Sequence, residues 1–132
     1  MPRPIRLTEA FRVRADSRIA IVGAGGKTSL LFLLARDFTI PVIVVTTTHL
    51  ALEQASQADH HIILSDEMDL KNFLQGQIDG VTLVTGKPEK DVRLSGLSID
   101  TLSVIEQSPC FKNTPILIEA DGSRRLPLKA PA

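Results

Sequence analysis

Tryptophan and tyrosine are absent from this sequence, and five phenylalanines hold the aromatic content to 4%. A core built from such residues is aliphatic, and no set of exposed rings is available on which single-stranded bases could stack. Charge of one sign is lacking too, since fifteen Lys and Arg balance fifteen Asp and Glu without a long block of either. Bulk electrostatics therefore draws the chain neither to nucleic acid nor to a membrane surface. The single cysteine, Cys110, excludes an internal disulfide and an all-cysteine metal cage, which fits a reducing compartment and makes the cytoplasm the expected location. No apolar run approaches the roughly 18 residues of a membrane span, and the basic N-terminus leads into Thr8-Glu9-Ala10 rather than a signal core. These absences leave a soluble protein of 132 residues, expected to form one domain around one core, with its oligomeric state undetermined.

What is present alternates between two periods. Short β-branched runs, Arg18 to Val22, Val42 to Val45, Ile62 to Leu64, Val81 to Thr85 and Pro115 to Ala120, predict five strands. Between them, helical spacing predicts helices over Lys27 to Asp37, Leu50 to Gln57, Asp66 to Gln75 and Ser98 to Gln107, with a further short one over Leu7 to Val13. Gly86 to Gly96, polar and broken by Pro88, reads as a loop. Strands separated by helices predict a three-layer α/β domain, its sheet mostly parallel and helices on both faces, of the P-loop NTPase type.

The sharpest local signal is Gly23-Ala24-Gly25-Gly26-Lys27-Thr28-Ser29, placed where an apolar strand meets an amphipathic helix. Glycines allow positive φ and close backbone approach, so that successive amides converge on phosphate oxygens at the positive end of a helix. In that arrangement Lys27 meets the β- and γ-phosphates and the Thr28 hydroxyl ligates the bridging Mg2+, with Ser29 as the alternative hydroxyl. The loop is shorter than the usual phosphate loop, because Ile21 stands where a first glycine is expected; its Gly-x-x-Gly-Lys-Thr spacing resembles the compact loop of the Mur ligases. The competing reading is a plain glycine turn with Lys27 solvated, although a lysine there opposes the helix dipole.

Ligands of open parallel sheets lie beyond the carboxyl ends of the strands, which directs attention to the residues following each one. Thr46, Thr47, Thr48 and His49 end the second strand and either hold a γ-phosphate, a metal-bound water or a second substrate, or cap the next segment. Glu119 ends the last strand, and Asp121 shares its face two residues on; Glu119 presents a carboxylate to magnesium or orients a water, and Asp121 does likewise or simply begins the Asp-Gly turn. Arg124, Arg125 and Lys129 follow as phosphate donors or as solvated loop residues. His60-His61 invites a metal reading, but neighbouring residues of a strand face opposite ways and no third ligand is spaced to join them. Cys110 follows Pro109 with no base beside it in the sequence and is left unassigned.

Val22 to Leu30, Thr46 to His49, Thr85-Gly86-Lys87-Pro88, and above all Ile118-Glu119-Ala120-Asp121-Gly122-Ser123-Arg124 through Pro127-Leu128-Lys129-Ala130-Pro131 resemble the YqeC family of selenium-dependent hydroxylase accessory proteins. The resemblance runs along nearly the whole chain. It implies a P-loop-like protein acting in maturation of selenium-dependent molybdenum hydroxylases, with such an enzyme or its cofactor as partner, and it carries over best to Gly26, Lys27 and Thr28. Members of that family continue past the Lys-Ala-Pro motif, which implies further sheet or a second lobe beyond Ala132, and Arg125 stands where they often have glycine. The leading expectation is an enzyme that binds Mg-ATP or another nucleoside triphosphate and couples its hydrolysis or transfer to cofactor maturation. Two alternatives stay open: a non-catalytic, nucleotide-responsive delivery protein, and a ligase working through an acyl phosphate.

Overall fold

A computed structural model describes residues 14–21, 27–90 and 93–120; the expected Leu7 to Val13 helix lies outside them. In chain order the elements are β1 (Arg18–Ile21), α1 (Lys27–Arg36), β2 (Val42–Thr46), β3 (Leu50–Ala51), a 3-10 helix (Leu52–Gln57) and β4 (His60–Ile63). There follow α2 (Glu67–Gln75), β5 (Val81–Thr85), β6 (Pro88–Glu89), β7 (Arg93–Leu94), α3 (Ile99–Gln107), a 3-10 turn (Pro109–Phe111) and β8 (Ile116–Glu119).

The five strands expected from the apolar runs form one parallel sheet in the order β1-β8-β2-β5-β4. Its central strands are buried throughout, which is why β2 reads Val-Ile-Val-Val without a polar interruption. Alternate side chains go to opposite faces. Val42, Val44, Leu83 and Leu117 pack with Leu31, Leu34 and Ala35 of α1, and Leu50 and Leu94 complete that cluster. Ile43, Val45, Ile116 and Ile118 pack on the other face with Phe73 of α2, Leu102 and Ile105 of α3, and Phe111. Three layers result, with two aliphatic cores separated by the sheet. Among the described residues one aromatic pair, Phe73 and Phe111 with ring centroids 5.1 Å apart, joins α2 to the turn before β8.

The helix starts agree with their caps. The Asp66 carboxylate accepts from the Asp69 amide and the Ser98 hydroxyl from the Thr101 amide, so α2 and α3 each begin one residue after a side-chain acceptor.

Three expectations are corrected. Leu50 to Gln57 is not a continuous helix: Leu50 and Ala51 pair antiparallel with Leu94 and Arg93, and only Leu52–Gln57 coils, as 3-10. A short segment of good helix formers gains more from burying Leu50 against Leu94 than from one further helical turn. The Gly86 to Gly96 segment is more than a loop, because β6 and β7 form antiparallel pairs within it, making a small sheet in the order β3-β7-β6. Pro88 lies on the outer strand of that sheet, where a missing donor costs little, and Lys90, at φ 56, takes the left-handed conformation as the chain reverses. The third parallel strand begins at His60 rather than Ile62; an edge strand tolerates the two polar histidines that hid its start.

Arg18 fastens the lower end of the sheet to the α3 side. Its guanidinium donates to the carbonyls of Thr114 and Phe111 at 2.7 Å each and to Glu106 at 3.4 Å. Burial lowers the Arg18 pKa, an effect opposed by Glu106 and Asp16. Truncation to Met, which keeps the aliphatic stem but leaves three carbonyls without this donor, is expected to cost about 1–3 kcal/mol in a urea unfolding curve, with the slope unchanged.

Burial likewise lowers the His61 pKa, favouring the neutral ring. The Thr85 hydroxyl donates to the Gly86 carbonyl at 3.0 Å, so it accepts from His61 Nε2–H across their 2.8 Å contact. The unfolded chain then binds a proton at His61 before the folded chain does. Stability should be level above the unfolded value, fall as pH drops through about 6.5, and level off again below the lowered folded value. His61→Gln should remove this step when urea midpoints are compared between pH 8 and pH 5. Asp59, whose pKa is lowered first by the Val81 amide and then by Arg36, loses its contribution only as pH falls through its own depressed folded value, in a more acidic window.

Candidate functional site

The site is assembled by strand order. Because β8 is inserted between β1 and β2, Glu119 lies level with Ile21 on one side and Thr46 on the other. It is 5% exposed, at the carboxyl end of the sheet. A carboxylate there requires a donor. Thr28 supplies it from the first turn of α1, its hydroxyl donating to Glu119 Oε2 at 2.8 Å. Two residues separated by 91 positions, both anticipated as metal-binding, are thus in direct contact.

The chemistry of the pair suits a hard cation. A hydroxyl that donates its hydrogen bond to a carboxylate keeps its lone pairs free to face a metal, and both side chains offer only oxygen. The first turn of α1 contains no acidic residue, whereas Glu67 and Asp69 occupy that of α2 and Asp100 that of α3. The positive end of α1 is therefore not neutralised by its own side chains.

Beside this pair, the β2 end is tied down from both sides. The Glu119 carbonyl accepts from the Thr47 amide at 2.9 Å and the Thr47 hydroxyl at 3.2 Å. The Thr46 hydroxyl donates to the Thr48 carbonyl at 2.9 Å and accepts from the Thr48 amide at 3.1 Å, folding the segment into a tight turn. Thr46 and Thr47 are buried, Thr48 is half-buried, and the exposed His49 contacts Glu89 at 2.7 Å. Of the two readings weighed for these threonines, the hydroxyl of Thr46 is occupied in shaping the turn and that of Thr47 in holding the Glu119 main chain.

Gly23, Ala24, Gly25, Gly26, Asp121 and Arg124 lie outside the described residues, as does the side chain of Lys27, whose main chain opens α1. Ser29 is exposed, and Thr28, not Ser29, meets Glu119. His60 is exposed and His61 is bonded to Thr85; among the described residues no three His, Cys, Asp or Glu side chains cluster. Cys110 contacts the Ser108 hydroxyl and the Leu74 carbonyl.

Two residues the sequence reading passed over shape the site. The Leu97 amide donates to the Thr46 carbonyl at 2.7 Å, and Gly96 lies so close to the turn that an added Cβ would fall on the Thr47 carbonyl carbon and 2.5 Å from the Thr48 nitrogen. The available signal was the glycine itself, since a glycine after a polar loop often marks close backbone approach.

The fold and site thus define an α/β protein with a parallel sheet and an oxygen-donor pair, Thr28 and Glu119, at its carboxyl edge. Comparison with known proteins gives the lineage. The sequence profile of the YqeC family, described as "YqeC protein", matches residues 19–132. The chain is 34% identical over 116 residues to the Escherichia coli (strain K12) protein called "Uncharacterized protein YqeC", covering 86% of this chain and 43% of that relative. The chain belongs to the YqeC family, and it spans less than half the length of that relative. No solved structure gives a significant match. Among the described residues, no helix is long and apolar enough to cross a membrane.

Gly96→Ala should displace the Thr46 to Thr48 turn. The clash is with the Thr47 and Thr48 backbone rather than a flexible side chain, so a loss of about 2–4 kcal/mol is expected, well above the roughly 0.5 kcal/mol of an ordinary surface change. Thermal unfolding beside an Asn72→Ala surface control measures it.

Proposed function

We propose that this chain is the nucleotide-binding part of a P-loop-type protein that takes Mg-ATP or another nucleoside triphosphate in the cytoplasm and acts in maturation of a selenium-dependent molybdenum hydroxylase. The observation that carries the reading is the Thr28–Glu119 hydrogen bond at the start of the helix that follows the glycine segment. A hydroxyl one residue after Lys27, bonded to a strand-end carboxylate, is the arrangement by which phosphate-loop proteins hold the magnesium that bridges β- and γ-phosphates.

In this reading the amides of residues 23–28 and the Lys27 ammonium bind the phosphates, as the glycine spacing suggests. Thr28 ligates the metal, and Glu119 and Asp121 hold it directly or through water. Bound magnesium would supply charge neutralisation between the two terminal phosphates. Thr47, through the Glu119 carbonyl, keeps the strand end from shifting as charge accumulates there. Arg124 reaches the phosphates as a forked donor. The role in hydroxylase maturation rests on family membership.

Isothermal titration with ATP and magnesium tests the reading. Lys27→Ala should weaken binding at least tenfold, about 1.4 kcal/mol, and Thr28→Val should abolish the dependence on magnesium. Equal affinity in wild type and both variants would remove the proposed function. Phosphate release that falls to background in a Glu119→Gln, Asp121→Asn double variant identifies turnover; tight binding without release identifies a nucleotide-responsive delivery protein instead.

A further inference from the structure

Beyond the Thr46 to Thr48 turn, at the carboxyl ends of β4 and β5, lies an open cavity of about 370 Å3 between the first turns of α2 and α3. Its volume is that of a small-molecule site. Its floor is apolar, formed by Leu64, Leu70 and Leu97, and its rim is polar, with Ser65, Asp66 and Glu67 on one wall and Lys87, Ser95 and Thr101 among the others. Of these residues only Leu97, whose amide bonds the Thr46 carbonyl, also shapes the proposed phosphate and metal site.

Position gives the cavity its meaning. A magnesium, if held by Thr28 and Glu119, would draw terminal phosphates to the ends of β8 and β2. The cavity lies one to two strand spacings past β2, roughly 5–10 Å along the sheet edge. Its inner wall is also the wall of the proposed site: Gly96 and Leu97 line the cavity and at the same time hold the Thr46 to Thr48 turn, which in turn holds Glu119.

We infer that this cavity is a second ligand site, taking an uncharged or amine-bearing small molecule with an apolar face and several O–H or N–H donors, such as a nucleoside or an amino sugar. The rim decides the class. Asp66 and Glu67 line the cavity with a single ammonium, Lys87, so the balance of charge favours cations and hydrogen-bond donors over anions. Asp66 and Ser98 each accept from one of the amides that open α2 and α3, those of Asp69 and Thr101. The leucine floor accommodates one face of a ring. The assignment to the acceptor side of a nucleotide reaction rests on the function proposed above; the ligand class does not.

Saturation-transfer NMR with cytidine, adenosine and glucosamine as probes, and inorganic phosphate as the anion comparison, tests the site with no nucleoside triphosphate present, so it is readable even if ATP binding fails. At least one donor-rich probe should bind with a dissociation constant of millimolar or tighter. Thr101→Trp, which fills the cavity from α3, should weaken it at least tenfold. Glu67→Gln, a change at an exposed residue that leaves the fold intact, should weaken glucosamine at least threefold and keeps the test valid if the tryptophan variant fails to fold. No binding by any of the three probes, binding indifferent to both substitutions, or binding of phosphate alone would overturn the inference.

Discussion

A carboxylate placed at the middle of an aliphatic sheet governs this molecule. Glu119 terminates β8, and β8 lies between β1 and β2, so its side chain emerges where three strands end together. Burial of an unpartnered carboxylate would cost several kcal/mol, and the chain avoids that by bringing the Thr28 hydroxyl within 2.8 Å. That single requirement fixes the start of α1 against the end of β8.

The rest of the carboxyl edge is organised around keeping that point still. Thr47 bonds the Glu119 carbonyl by amide and hydroxyl, and Thr46 closes the turn through Thr48. Gly96 and Leu97 press on the turn from outside, and the β3-β7-β6 sheet carries Gly96 there. A small antiparallel sheet that looks peripheral in the topology is thus one support of the candidate site. The opposite end of the sheet is held differently, by the Arg18 guanidinium and its carbonyl acceptors.

How much of this was legible depends on the range of the interaction involved. The strands β2 and β5 and the helices α2 and α3 were readable because unbroken β-branched runs and side-chain caps act over a few residues. The ends of β4 and the fate of Leu50 to Gln57 were not, since an edge strand tolerates His60 and His61, and the burial of Leu50 depends on Leu94, 44 positions away in the paired register. The candidate pair was half legible: Thr28 stood out by its place after Gly26 and Lys27, and Glu119 by ending an apolar strand. Their contact was not, and neither was the role of Gly96.

By itself the sequence determined the class of structure, the location of the glycine segment at a strand-to-helix junction, and a short set of candidate polar side chains at strand ends, because periodicity, glycine geometry and capping are local properties. Only the tertiary structure decided that β8 enters between β1 and β2, that Thr28 is the hydroxyl bonded to Glu119, and that Gly96 sets the Thr46 to Thr48 turn. Those outcomes follow from strand order and packing between residues roughly 50 to 100 positions apart, for which no short window of sequence carries a signal.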